Sequence, residues 1–227
     1  MSTDLPNAAR GQVVDVDVGE VMLEGELAIP QHPRGIVLFA HGSGSSRHSP
    51  RNKAVAEELQ EGRLATLLMD LLTPEEERID LRTRHLRFDI PMLARRLAAA
   101  VDWLGHQPET ADLDVGLFGS STGGGAAIIA SAQRPDRVRA VVSRGGRPDL
   151  AGDALRETQA PTLLIVGGLD TPVVHMNEDA RAQMVRARTR LEIIPGATHL
   201  FEEPGKLTEV AKLARDFFVE HLHARAP

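Results

Sequence analysis

The chain has 227 residues, of which 42% are hydrophobic and 26% charged, a composition typical of a globular protein with its own core. A net charge of −6 and an aromatic content of 3% argue against a nucleic acid as partner. Cysteine is absent, which excludes disulfides, thiolate nucleophiles and zinc–thiolate sites. No apolar stretch approaches the ~20 residues that span a bilayer, and residues 1–12 contain no apolar signal core. We therefore expect a cytoplasmic protein with neither a membrane nor a nucleic acid as partner.

The first part of the chain is predicted to form strands and one helix. Residues 13–18 and 21–29 alternate apolar and acidic side chains, which predicts an antiparallel hairpin at a sheet edge. Residues 36–40 are a continuous apolar run, typical of a strand buried on both faces. After the loop 41–46, a serine followed by a proline predicts a helix that begins at residue 50.

The rest of the chain alternates strands and helices. Further strands are predicted at residues 64–69, 115–119, 138–142, 161–166 and 191–194. Helical spacing of apolar residues predicts an amphipathic helix near 89–105 and a C-terminal helix over 210–222. The charged connection 71–88 is long enough to act as a small lid. The pattern predicts a mostly parallel sheet with helices on both faces, in a single α/β domain covering residues 1–227.

A glycine-rich turn, Gly119-x-Ser121-x-Gly123, joins a predicted strand to a predicted helix. In such a turn the serine occupies a strained backbone conformation at the apex, just before a helix N-terminus. Ser121 is the candidate nucleophile and Ser120 is not, because no glycine stands two residues before Ser120. The run Gly123–Gly125 costs helix propensity, about 1 kcal/mol per residue relative to alanine. A close approach of a strand or a substrate would explain this run, and a connection without chemistry is the alternative.

Other polar residues follow predicted strands. Asp170 follows the strand 161–166 and His199 follows the strand 191–194. Ligand sites of parallel sheets lie at the carboxyl ends of the strands, so Ser121, Asp170 and His199 are expected at one edge. Their order along the chain is that of the catalytic residues of α/β-hydrolases. Asp149, which follows an earlier strand, is the main rival of Asp170 as the acid.

Over its whole length the chain resembles α/β-hydrolases of the dienelactone-hydrolase-like group. The resemblance rests on three motifs: Gly119-x-Ser121-x-Gly123, Gly168-x-Asp170 and Gly196-x-x-His199. It implies an α/β-hydrolase fold with an N-terminal hairpin and no large cap domain. The relatives that give the group its name carry cysteine at the elbow, whereas this chain has serine, which puts a dienelactone substrate in doubt.

The resemblance also implies roles for individual residues. Ser121 would attack a carbonyl, His199 would accept its proton, and Asp170 would orient and stabilise the imidazolium. Backbone N–H groups of Ser43 and Thr122 would form the oxyanion hole. We expect a serine hydrolase acting on a small ester, thioester or lactone, without metal or cofactor. The alternative is a catalytically silent hydrolase-fold protein that serves as a binding or assembly module.

Two residues are candidates for substrate contacts. Arg144 follows the predicted strand 138–142, and an arginine at the mouth of the site suits a substrate carboxylate. His175 lies five residues beyond Asp170, near the same edge. The alternative for the arginines at this edge is a solvated surface with salt bridges. The scarcity of aromatic residues and the lack of a cap predict a shallow pocket that favours short acyl groups.

Overall fold

The computed structural model describes residues 11–224, so most of the N-terminal segment analysed for a signal core lies outside the described residues. The strands are β1 Gln12–Asp17, β2 Met22–Ala28, β3 Gly35–Ala40, β4 Leu64–Met69, β5 Val115–Ser120, β6 Val138–Arg144, β7 Thr162–Gly167 and β8 Thr189–Ile194. The α-helices are α1 Pro50–Glu61, α2 Pro74–Thr83, α3 Ile90–Leu104, α4 Thr122–Gln133, α5 Ala154–Glu157, α6 Thr171–Gln183 and α7 Lys206–His221. Short 3₁₀ turns form at Leu86–Phe88 and Pro148–Ala151.

The eight strands form one sheet in the order β1-β2-β4-β3-β5-β6-β7-β8. β1 pairs antiparallel with β2, and β2 pairs antiparallel with β4. The other neighbours are parallel. The predicted mostly parallel sheet with an N-terminal antiparallel hairpin is confirmed, and β1 and β8 are its edges.

The sheet lies between two apolar layers. Helices α3 and α4 pack on one face, where Leu38 of β3 meets side chains such as Leu97. Helices α1 and α7 cover the other face, where Phe39 stacks on Phe118 with ring centroids 4.9 Å apart. Every residue of β3 and of β5 is buried, as expected for central strands covered on both faces. The carboxyl ends of these strands therefore rest on a part of the molecule that is buried throughout.

Capping residues determine where helices α1 and α2 begin. The Ser49 side chain accepts a hydrogen bond from the Asn52 N–H, and Pro50 is the first residue of α1, as predicted. Within the connection 71–88, Thr73 and Glu76 form a capping box that begins helix α2.

Helix α2 is fastened to its surroundings by ion pairs. Both carboxylate oxygens of Glu76 accept hydrogen bonds from Arg96 of α3, at 2.6 and 2.8 Å. The carboxylate of Asp80 is buried, accepts the Leu86 N–H and pairs with Arg87. The connection 71–88, expected as a candidate lid, thus contains the short helix α2. None of the helices formed by residues 11–224 combines the length and the apolar character needed to cross a membrane.

Candidate active site

Ser121 lies at the turn between β5 and α4 with φ +50° and ψ −123°, a conformation that side-chain-bearing residues rarely adopt. Three backbone hydrogen bonds hold it there. The Ser121 N–H donates to the Arg144 carbonyl at 3.3 Å, and the Ser121 carbonyl accepts from the N–H groups of Gly124 and Arg147, both at 2.9 Å. Because such a conformation costs roughly 1–3 kcal/mol, the surrounding structure must enforce it.

The glycines of the turn are required by close packing. A Cβ on Gly123 would lie 2.2 Å from the Ala40 carbonyl oxygen, at the end of β3. A Cβ on Gly119 would lie 2.5 Å from the Gly123 carbonyl oxygen, and one on Gly124 would lie 2.6 Å from Ser143 Oγ. The glycine run therefore lets the start of α4 approach the strands directly, which offsets its low helix propensity.

His199 and Asp170 are joined at the carboxyl ends of β7 and β8. His199 Nδ1 lies 2.7 Å from Asp170 Oδ2, and the side chains are 39% and 17% exposed. Since a carboxylate only accepts, Nδ1 carries the hydrogen and Nε2 is left as an acceptor. Asp149 instead pairs with Arg147 at 2.7 and 2.8 Å. The structure brings Asp170, and not Asp149, to the histidine.

The histidine also borders the serine turn. Gly145 follows the residue whose carbonyl binds the Ser121 N–H, and a Cβ on Gly145 would lie 3.5 Å from His199 Cε1. Among residues 11–224 no hydrogen bond joins Ser121 Oγ to His199. Catalytic hydrogen bonds are often long before substrate binds and tighten in the complex. The three side chains thus share one edge of the sheet.

The loop that carries His199 is packed on the end of β7. A Cβ on Gly167 would lie 2.5 Å from the carbonyl oxygens of both Ala197 and Thr198. The Thr198 N–H donates to Glu203 Oε1 at 3.1 Å, and the Phe201 side chain is buried. These contacts fix the position of the His199 imidazole.

The residues predicted for the oxyanion hole lie beside each other. Thr122 is the first residue of α4, where N–H groups lack an intrahelical acceptor. The Ser43 N–H donates to the Thr122 hydroxyl oxygen at 2.9 Å. A Cβ on Gly42 would lie 3.0 Å from Ser121 Cβ, so the loop after β3 packs directly on the serine turn. The Thr122 side chain, and not only its backbone N–H, therefore lies in the region predicted as the oxyanion hole.

His41 shapes this loop. Its Nδ1–H donates to the Gly42 carbonyl at 3.0 Å, while Nε2 accepts the Leu71 N–H at 3.1 Å. Burial lowers the pKa of His41 below its usual value of 6.5. The neutral ring thereby ties the loop after β3 to the segment after β4.

A cavity of about 520 Å³ adjoins the same loop. Its walls come from residues 44–46 and 48–51 and from the segment around α2, including Asp70, Thr73 and Glu77. Arg47 braces one wall, because it pairs with Asp70 and, at 2.6 Å, with Glu24. The lining does not include the serine, aspartate and histidine of the site. The cavity borders the loop after β3 through Gly44, which follows Ser43.

The structure corrects the expected position of Arg144. This residue is the last of β6 and does not follow the strand, and its side chain is only 7% exposed. Its Nε and Nη1 have no acceptor among the described residues. Burial, and to a lesser degree the charge of Arg51, lowers the pKa of Arg144 to about 10. By contrast, the arginines at positions 47 and 147 pair with carboxylates.

Two buried amides near the site were missed in the sequence. Asn52 of α1 accepts a hydrogen bond from Ser120 Oγ at 3.2 Å, beside the nucleophile position. Asn177 of α6 donates to the Gly146 carbonyl at 3.0 Å. The sequence feature that could have predicted them is an asparagine among the buried positions of each helix. His175, predicted as a substrate contact, is exposed on α6.

A metal centre finds no support in the described part of the chain. Within residues 11–224 no group of three or more histidine, aspartate or glutamate residues is arranged to hold a metal ion.

The sheet order, the strained serine turn and the strand ends that carry the acid and the histidine define an α/β-hydrolase. The chain belongs to the dienelactone hydrolase family, whose sequence model matches residues 23–222. Both findings support a hydrolase.

Solved structures agree with this assignment, whereas the curated relatives carry a different name. The chain is 57% identical over 218 residues to a protein of Mycobacterium tuberculosis, strains H37Rv and CDC 1551, that is provisionally named a phosphoribosyl transferase. That match covers 96% of this chain and 48% of the relative, so the chain spans about half the length of the curated relatives it matches. The crystal structure of a dienelactone hydrolase from Anabaena variabilis is 64% identical with a TM-score of 0.92, covering 94% of this chain and 100% of that one. Est1E from Butyrivibrio proteoclasticus shares the fold at 18% identity, with a TM-score of 0.75 over 92% of this chain and 98% of that one.

Proposed function

We propose that the protein is a serine hydrolase that cleaves a small carboxylic ester, thioester or lactone through an acyl-enzyme on Ser121. One observation carries the proposal: the strained serine turn and the hydrogen-bonded Asp170–His199 pair lie at the same sheet edge. A serine hydroxyl is a poor nucleophile at neutral pH and needs an adjacent, oriented base. The histidine supplies that base, and the aspartate selects its tautomer.

The proposed reaction has two halves. His199 Nε2 takes the Ser121 proton as Oγ bonds to the carbonyl carbon, and the tetrahedral intermediate expels the leaving group, which receives that proton. Water then loses a proton to Nε2, attacks the acyl carbon, and releases the acid while the proton returns to Oγ. Asp170 stabilises the imidazolium in both halves, and the Thr122 N–H faces the developing oxyanion.

The surroundings of the site favour small and polar substrates. The adjoining cavity of about 520 Å³ is walled largely by serine, threonine, histidine and charged side chains. Among its lining side chains, those of Pro50, Leu72 and Pro74 are apolar, which is too few to bury a long acyl chain, and each methylene left unburied forfeits about 0.8 kcal/mol. Short acyl esters are therefore the preferred substrates.

An anionic group on the substrate is also favoured. The backbone of Arg144 lies beside the serine turn, since its carbonyl accepts the Ser121 N–H, and among residues 11–224 two nitrogens of its buried guanidinium have no acceptor. A buried charge without a partner is costly, so a substrate carboxylate would gain from pairing with it. His175 at the exposed surface of α6 is the weaker of the two proposed substrate contacts.

Covalent labelling tests the proposal without knowledge of the substrate. A fluorophosphonate probe followed by peptide mapping should modify Ser121, and Ser121→Ala should abolish labelling and lower ester turnover by roughly three orders of magnitude or more. Ser120→Ala is the matched control, because that side chain is buried and bonded to Asn52, and it should label as the unaltered chain does. Failure of the unaltered chain to label or to hydrolyse short esters would favour the silent binding module.

A further inference from the structure

The contact between Ser43 and Thr122 changes how the oxyanion hole is built. Both residues were expected to present only their backbone N–H groups. In the structure the Ser43 N–H points at the Thr122 hydroxyl oxygen, 2.9 Å away. One of the two expected donors is therefore already satisfied by a side chain of the residue that follows the nucleophile.

The Thr122 hydroxyl has hydrogen-bonding capacity left over. A hydroxyl carries one donor and two acceptor sites, and the Ser43 N–H uses an acceptor site. Among the described residues nothing accepts the hydroxyl hydrogen, and Thr122 is only 5% exposed. The hydrogen is thus free to rotate toward a substrate oxygen, in a place from which bulk water is largely excluded.

The two residues have little freedom to separate. The loop after β3 packs on the serine turn so closely that a Cβ on Gly42 would lie 3.0 Å from Ser121 Cβ. On the other side, Gly123 lies directly against the Ala40 carbonyl. The hydrogen bond between Ser43 and Thr122 is therefore a fixed part of the site.

We infer that the Thr122 hydroxyl is itself a catalytic donor to the oxyanion, beside the N–H of the same residue. The Ser43 N–H polarises this hydroxyl, and a hydroxyl that accepts one hydrogen bond is a stronger donor in the next. The hydrogen stays on Oγ1 throughout, while the proton of Ser121 passes to His199. The inference rests on the proposed serine hydrolase, and it names a donor that this mechanism does not otherwise use.

Replacing the hydroxyl without changing side-chain size tests the inference. Thr122→Val should lower kcat on a short p-nitrophenyl ester by roughly a hundredfold with KM nearly unchanged, as for the loss of one oxyanion donor. Thr122→Ser keeps a hydroxyl and should stay within about threefold of the unaltered chain. The inhibition constant of a reversible trifluoromethyl ketone, whose adduct with serine carries an oxyanion, should rise in Thr122→Val by the same factor as kcat falls.

Controls separate this role from the general cost of losing a buried threonine. Thr158 is buried and its hydroxyl bonds to Ser131 far from the site, so Thr158→Val should leave kcat unchanged. Thr122→Ala provides a second variant without the hydroxyl should the valine variant fail to fold. An unchanged or higher kcat in either folded variant overturns the inference, since the hydroxyl would then merely occupy the Ser43 N–H. Absence of Ser121-dependent turnover in the unaltered chain would instead overturn the proposed function, and this inference with it.

Discussion

The two sides of the site are built by different means. The nucleophile turn is held by backbone hydrogen bonds and by glycines packed against neighbouring strands, as at Gly123 and Ala40. The cavity wall around α2 is held by charged side chains, such as Arg47 with Asp70 and Arg96 with Glu76. Backbone packing tolerates almost no displacement, whereas long arginine side chains have several rotatable bonds through which a wall can adjust. The molecule thus combines a rigid serine turn with a more adaptable cavity wall, the two sides of the proposed active site.

The largest expected effect lies on the rigid side, in the partner of the histidine. Asp170→Asn would offer an amide where the imidazole needs a carboxylate, and turnover should fall by up to about 10⁴-fold. Asp149→Asn should cost little, because that side chain is exposed and pairs with Arg147. Steady-state kinetics on a short ester measures both variants. The reverse pattern would transfer the acid to Asp149.

The packing of the turn predicts the next effect. Gly123→Ala would place a methyl group 2.2 Å from the Ala40 carbonyl oxygen, so the free energy of unfolding should fall by roughly 3 kcal/mol and turnover should be lost. Gly105→Ala, at the end of α3 with helical backbone angles, should change stability by less than about 1 kcal/mol. Urea unfolding compares them. Equal stability of both variants would show that the turn is not tightly packed.

A smaller effect is expected at the buried arginine. Arg144→Met should remove a preference of roughly tenfold in kcat/KM for esters that carry a carboxylate, equal to about 1.4 kcal/mol. The free energy of unfolding should stay constant or rise, since the variant also removes a buried charge that lacks a carboxylate partner. Arg147→Met, which removes an arginine paired with Asp149, should leave the preference intact. Equal rates for charged and neutral esters in the unaltered chain would contradict the role of Arg144.

The smallest expected effect concerns His41 on the adaptable side. Burial lowers its folded-state pKa, so between that pKa and about 6.5 the unfolded chain binds more protons than the folded chain. The associated stability is complete above pH 6.5 and declines as the pH falls below it. His41→Gln should flatten this decline, as measured by urea unfolding between pH 5 and 8. An unchanged slope would mean that His41 is not held neutral in the folded state.

The rigid side was the easier to predict from sequence. The residues that shape it are glycine, serine and proline at fixed offsets, and the predicted strand 64–69 agrees with β4 residue for residue. The start of α1 and the apex position of Ser121 were likewise predicted, because capping and turn chemistry are local. Features that depend on steric contacts within a few residues can be predicted from the sequence, because those residues are neighbours in the chain.

The adaptable side was harder because its causes are distant in the chain. Helix α2 has almost no apolar stripe and is held by Arg96, which lies 20 residues beyond its partner Glu76. Strand β6 extends to Arg144, beyond the predicted end at residue 142. The extension was missed because an arginine is not expected at a buried strand position. Asn52 was overlooked since its partner Ser120 lies 68 residues away. The local periodicity of apolar residues cannot predict which side chains pair over such separations.

The position of β8 affects how the proposed active site responds to mild denaturant. This strand pairs only with β7 and is the least covered of the parallel strands, with Ile193 43% exposed, yet the loop after it carries His199. Regions with fewer buried contacts open locally at a lower free energy than the whole fold. Partial detachment of β8 would move His199 away from Ser121 while β3 and β5 remain folded. Inactivation by mild denaturant should therefore precede global unfolding, with amide hydrogens of β8 exchanging before those of β5.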